Sequence, residues 1–392
     1  MKHKLFTHTK IPSRFGKAAL LGGAAILISY AAAASSSDDS SSHTLQTATA
    51  VTAPVISTKV ESKPTDTPPA KVFDLSHWNI TLPTDKNRDG KVDSVTVKSL
   101  RKYKHTDFFY IDEEGGMVFA SPNKAATTKN TSNTRSELRY MIRGTDTRIK
   151  TKSAGNNFTV AVNPNADKYG AIGGRMDATL KVDHVSTEAG DRTKKPAYSA
   201  VVGQIHAVKY ENTSSGFGYG NEPIKIYYKK FPEHDTGSVF WTYELNLAKD
   251  DPKRRDIAYP VFGNTWENPA DPGALGIPLG EEFSYTINVH ENTMHLTFTS
   301  ERLGTKTYSK SLVSKYDAYG KIEPDANKFG YAVDSNYFKA GIYNQCSTSS
   351  QKGFWYAGCP GTGDWETDKA NGHYAQATFS KLVVGPSTPP EK

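Results

Sequence analysis

Beyond Lys71 the chain consists largely of short runs rich in Val, Ile, Tyr, Phe and Thr, broken by Gly, Pro, Asn and Asp. Examples are residues 158–162, 200–207, 224–230, 238–247, 283–289, 294–300, 337–345 and 375–384. Several alternate apolar and polar side chains with period two, as a strand with one buried face does. Helical periodicity is scarce, and only residues 95–103 suggest a short helix. This pattern predicts an all-β fold, a β-sandwich or β-jelly roll of two antiparallel sheets. The 21 Tyr and 17 Phe suit strands, and the 31 Gly and 21 Pro suit turns. Neither an internal repeat nor a second core is visible, so residues 71–392 read as one domain. A domain that large needs long loops, and the Pro-, Gly- and Asn-rich segment 254–279 is the clearest candidate.

The first 34 residues carry Lys2, Lys4, Lys10, Arg14 and Lys17, and no acid. An apolar run over 18–34 follows and ends in small residues, so 1–34 reads as a secretory signal peptide. The alternative is an uncleaved membrane anchor, for which the run is short and rich in Ala and Gly. The absence of Cys near its end argues against a lipid anchor. Residues 35–70, rich in Ser, Thr, Ala, Pro and Asp, hold too little apolar content for a core and read as a flexible linker. The expected location is therefore secreted or periplasmic. The formal charge of +7 is largely the leader's, since the remainder has 43 basic against 41 acidic residues. That balance argues against nucleic-acid binding, which needs a basic face, while leaving room for a local basic groove. Cys346 and Cys359, the two cysteines of the chain, are expected to form a disulfide in an exported protein.

Three segments carry candidate chemistry. In Tyr337 to Gln345 (YFKAGIYNQ), strand alternation puts Tyr337, Lys339, Tyr343 and Gln345 on one face and Phe338, Ala340 and Ile342 on the core side. In Arg135 to Arg139 (RSELR), Glu137 shares a face with two arginines, whose forked donors suit carboxylates. In Gln204-Ile-His206, an amide and an imidazole share a face, and His can act as a base near neutral pH. Each has a plainer reading: a solvated strand face, a salt-bridge ladder and a structural histidine. Together they supply Arg, Gln, His, Lys and Tyr but one carboxylate, Glu137. Glycoside hydrolysis ordinarily needs two. Removing the C5 proton of a uronate needs donors that stabilise the enolate-like dianion, a base, and an acid for the leaving O4.

These three segments, in this order, resemble the signature motifs of polysaccharide lyase family 7 alginate lyases. Residues 73–83 (FDLSHWNITLP) resemble the start of that family's catalytic domain. The resemblance covers residues from about Lys71 to the C-terminus. It implies a jelly roll whose concave sheet holds the substrate groove, and β-elimination on alginate giving 4,5-unsaturated oligouronates. It implies that Arg135 and Gln204 neutralise the substrate carboxylate, with help from His206. Tyr343 would protonate the leaving oxygen and also act as base on mannuronate, while His206 would be the base on guluronate. Tyr337, Arg139, Lys339 and Gln345 would bind or orient the chain, and Glu137 would hold the arginines. Gln-Ile-His is associated in the family with guluronate-containing substrate. No cofactor is required, no obligatory protein partner is implied, and a monomer is expected. A lyase on another polyuronate such as glucuronan, and a non-catalytic alginate-binding sandwich, are the competing readings.

Asp85, Asn87, Asp89 and Asp93 match the first half of a calcium loop, with Thr96 where its bidentate Glu would stand. A structural calcium and a simple polar turn are both open. Trp241, Tyr219, Tyr227 and the GFGYG stretch 216–220 could line or cover the groove, or be core and turn.

Overall fold

The period-two runs become strands of two large sheets in the computed structural model, which describes residues 63–129, 131–208, 220–347 and 356–390. The leader, residues 35–62 of the expected linker, Tyr219 and Gly216 lie outside the described residues. The larger sheet runs Asp256–Phe262, Ser238–Glu244, Ile224–Lys229, Ser199–Val208, Ser335–Asn344, Arg135–Tyr140, Trp78–Thr81 and Ser94–Val95, each antiparallel to the next. Phe158–Thr159 and Ala171–Ile172 attach beside this path and make ten strands. The second sheet runs Gly304–Ser311, Thr293–Ser300, Glu282–His290, Gly174–His184, Tyr374–Gly385, Met117–Pro122 and Phe109–Ile111. The result is the expected jelly-roll sandwich. Its long connections set Ser335–Asn344 between two strands far earlier in the chain.

The inner faces of the two sheets share one apolar core. Leu138, Ile205, Phe338, Ala340 and Ile342 from the larger sheet meet Phe119, Leu180, Tyr285, Ile287 and Phe379 from the smaller. The predicted core-side residues Phe338, Ala340 and Ile342 therefore all lie in this shared core. Gly203 shows how tightly the sheets close. A Cβ there would sit 2.3 Å from the Tyr285 hydroxyl, which donates to the Val202 carbonyl at 3.1 Å.

Three expectations change. Residues 254–279 are not one loop, because Asp256–Phe262 forms the outer strand of the larger sheet. Pro260 disguises it, yet an edge strand tolerates a proline whose missing N–H would have faced outward. Residues 64–70 are packed and not linker. Pro64 pairs with Asp112, the Thr65 N–H donates to the Ile111 carbonyl at 2.8 Å, and Pro69 is buried in a 3-10 turn. The expected 95–103 helix shrinks to Val97–Leu100, and Thr96 caps it by accepting from the Ser99 N–H. Trp241 is core, fully buried and stacked on Tyr259 with ring centroids 4.2 Å apart. Cys346 and Cys359 form the expected disulfide. Among the described residues, no helix is long and apolar enough to cross a membrane.

Gly341 marks an irregularity in the central strand. Pairing with Ser199–Val208 shifts register between Ala340 and Tyr343, and Gly341 has φ +131°. A Cβ there would lie 2.5 Å from the Ser136 carbonyl oxygen and 3.0 Å from the Glu137 Cα. Gly341→Ala is therefore expected to destabilise the protein by about 1–3 kcal/mol from backbone strain alone. Urea denaturation of the variant measures this; unchanged stability would mean that the strand can shift freely.

Candidate active site

Strand register assembles the site in rows on the outer face of the larger sheet. His206 stands opposite Tyr337, Gln204 opposite Lys339, and Lys339 opposite Arg139. Gly341 stands opposite Glu137, and Tyr343 opposite Arg135. Eight of the nine expected site residues thus come together from three adjacent strands. The face is recessed: Glu137 is 2% exposed, Gln204 1% and Lys339 7%.

Glu137 is the hub. Its Oε2 accepts from Arg135 Nη1 at 2.9 Å and from Lys339 Nζ, and its Oε1 accepts from Gln204 Nε2. Burial alone would raise this carboxyl, but Lys339 and Arg135 outweigh it and hold the group below the usual carboxylate range. The same burial pushes the Lys339 ammonium down to about 8; Arg135 pushes it further, and Glu137 opposes. Arg135 also lies over the Tyr343 ring, its Cζ 3.8 Å from the centroid. The Nε of Arg135 and the Oε1 of Gln204 are buried without a hydrogen-bond partner among the described residues. Unmet polar atoms at the centre of a recessed face suit a polar ligand.

Arg139 does not share Glu137 with Arg135 as expected. Its guanidinium turns away to the Thr151 carbonyl and Asn157 Oδ1, both at 3.0 Å, and lies over the Tyr337 ring, 3.9 Å from Cζ to centroid. Gln345 also stays apart. Its backbone N–H donates to the Ser199 carbonyl at 3.1 Å, and its buried amide meets the Tyr343 carbonyl at 3.4 Å. Sequence gave no local sign of two further neighbours. Thr131 Oγ1 lies 3.0 Å from the Tyr343 hydroxyl, and Glu222 Oε1 lies 3.5 Å from His206 Nε2.

His206 stacks on Tyr337, with ring centroids 5.2 Å apart and planes at 17°. Burial pushes its imidazole down to about 4, Lys339 and Arg135 add to that, and Glu222 pulls the other way. Its side chain keeps 22% exposure, so solvent at that edge tempers the effect. At neutral pH the ring is neutral and able to accept a proton. Tyr227 also faces this side, packed with Phe240, Trp266 and Tyr343.

The 85–93 loop engages its acidic side chains with donors of its own. Asp85 accepts from the Asp89 and Gly90 N–H groups, Asp89 from Lys91, and Asp93 from the Thr84 hydroxyl and the Lys86 N–H. These side-chain to backbone bonds brace the turn. Among the described residues, no group of three or more His, Cys, Asp and Glu could hold a metal.

Glu137 and Glu222, the two carboxylates that meet the motif residues Arg135, Lys339, Gln204 and His206, are both held as anions. The jelly roll and the Arg, Gln, Lys, His and Tyr joined on its recessed face are the combination expected of a polysaccharide lyase, and the chain's relatives place it in that class. The alginate lyase family model matches residues 73–386, and the chain belongs to that family. It is 37% identical over 290 residues to an alginate lyase from Klebsiella pneumoniae, covering 71% of this chain and 85% of that one. The crystal structure of an alginate lyase from the same organism superposes with TM-score 0.64 at 31% identity, over 82% of this chain and 99% of that one. An exolytic PL7 alginate lyase from Zobellia galactanivorans superposes with TM-score 0.65 at 34% identity, with the same coverage.

Removing the hub charge should be costly. Glu137→Gln leaves Arg135 and Lys339 without their shared counter-ion, and losing one partner of a buried ion pair costs roughly 3–5 kcal/mol. Chemical denaturation of this variant tests the point, and a loss under about 1 kcal/mol would show that Glu137 is not the hub.

Proposed function

We propose that this chain cleaves alginate by β-elimination on the outer face of the larger sheet. The observation that carries the reading is the cluster on Glu137, which fixes Arg135, Gln204 and Lys339 beside a neutral His206 and the Tyr343 hydroxyl. Arg135 and Gln204 bind the carboxylate of the sugar being cut, which makes its C5 proton removable and stabilises the dianion that forms. On guluronate, His206 takes the C5 proton, the electrons form the C4–C5 double bond, the C4–O4 bond breaks, and Tyr343 protonates O4. On mannuronate, where proton and leaving group lie on one side, Tyr343 serves as both base and acid. The new non-reducing end is a 4,5-unsaturated uronate. Tyr337, Arg139 and Lys339 orient the polymer. Gln345 supports the Tyr343 strand end.

The alginate lyase names of the relatives support alginate as substrate. The Gln204-Ile-His206 sequence favours activity on guluronate-containing blocks. The enzyme needs no cofactor and works as a monomer. Export through the N-terminal segment fits the Cys346–Cys359 disulfide, since such bonds persist in oxidising compartments.

Incubation with alginate should raise ultraviolet absorbance in the enoate band. A flat trace with tight alginate binding would make the protein a binding module, and activity confined to glucuronan would change the substrate. Tyr343→Phe should lower kcat by about 100-fold or more, the range of general acid–base catalysis, with binding kept. His206→Asn should hurt guluronate-rich substrate at least as much as mannuronate-rich substrate; near-normal rates on both would remove His206 as base. The pH profile of kcat/KM should be level between the two free-enzyme groups. It should fall below about 4 as His206 gains its proton and above about 8 as Lys339 loses its own. A base-side limb unmoved by Lys339→Arg would assign that limb to another group.

A further inference from the structure

The two ring nitrogens of His206 have different surroundings. Nδ1 lies 3.1 Å from the Ala207 carbonyl, which only accepts, so in the neutral ring Nδ1 carries the proton and Nε2 the lone pair. Nε2 faces Glu222 Oε1 at 3.5 Å, too far for a good hydrogen bond but close for a charge. Glu222 is held from the other side. Its N–H donates to Glu244 Oε2 at 2.9 Å, and Lys225 Nζ lies 3.3 Å from its Oε2. Lys225 in turn lies 3.0 Å from Asp256 and 3.7 Å from Glu244, and Arg254 reaches Glu244 at 2.6 Å. Burial would raise the Glu222 carboxyl, but Lys225 and the neighbouring donors outweigh it and keep it ionised. Burial instead raises Glu244 and Asp256.

We propose that Glu222 is a positioning residue for His206, a fixed anion that stabilises the imidazolium formed when Nε2 takes the C5 proton. The inference rests on His206 being the base on guluronate. In that step the C5–H bond breaks and Nε2–H forms. The C5–H electrons form the C4–C5 double bond, the C4–O4 electrons leave with O4, which takes the Tyr343 proton, and solvent then takes the proton from Nε2 and returns one to Tyr343. The charged groups around the ring are Glu222, Lys339, Arg135 and Glu137, with Tyr337 stacked on its face. Lys339 and Arg135 oppose a positive imidazole. Glu137 is already engaged by three donors, so Glu222 is the anion left to offset them.

The test uses the full chain and a soluble oligoguluronate, comparing wild type, Glu222→Gln, Glu222→Asp and His206→Asn. Glu222→Gln should lower kcat by about tenfold or more with KM within about twofold, because the lost interaction exists mainly once charge has formed. Glu222 raises the His206 pKa, so its removal should move the ring's NMR titration midpoint to lower pH. A weaker base that nonetheless stays deprotonated further into acid is an outcome that misfolding does not mimic. Glu222→Asp keeps the charge against Lys225 but withdraws it from Nε2, and should fall between wild type and Glu222→Gln. An unchanged kcat, or a midpoint that stays or rises, overturns the proposal. If His206→Asn collapses turnover while Glu222→Gln does not, only the role of Glu222 fails. If His206→Asn turns over oligoguluronate normally, the base assignment fails, and the role of Glu222 with it.

Discussion

The cationic centre of the outer face turns on one buried carboxylate. Glu137 receives a guanidinium, an ammonium and an amide from three different strands, and each is held by that contact in an otherwise recessed position. A carboxylate buried alone would be neutral, and two cations buried alone would repel; together they keep their charges. The arrangement leaves a cationic, donor-rich patch built before any substrate arrives. Preorganised donors of this kind stabilise developing negative charge without having to reorganise during the reaction.

The same patch explains the electrostatics of its neighbours. Burial keeps the His206 imidazole neutral, and the nearby Lys339 and Arg135 add to that; in the proposed reaction the same surroundings would oppose an imidazolium. Glu222, the anion proposed to relieve that conflict, lies on the Nε2 side of the ring, away from the Nδ1 proton.

The sequence made much of this legible, because strand alternation is a strong constraint. It placed Phe338, Ala340 and Ile342 in the core and Tyr337, Lys339 and Tyr343 on the opposite face, as found. It could not say how far a side chain on a shared face would reach. Arg135 and Arg139 flank Glu137 equally in sequence, yet Arg139 turns to Asn157 and Thr151, while Lys339 from the next strand takes its place. Glu222 and Thr131 stayed hidden for a related reason. Each meets its partner only through strand pairing and loop closure, Thr131 touching a residue 212 positions away. Pro260 concealed an edge strand, since a proline reads as a turn unless the sheet edge is known.

The central claim is that the Glu137 cluster presents Arg135 and Gln204 to a substrate carboxylate within reach of His206 and Tyr343. A crystal structure of the Tyr343→Phe variant with an oligoguluronate bound tests this most directly. The account predicts one sugar carboxylate hydrogen-bonded to both Arg135 and Gln204, with C5 of that sugar facing His206 Nε2 and its O4 at the ring position of residue 343. A carboxylate bound elsewhere, or a C5 turned away from both groups, would contradict it.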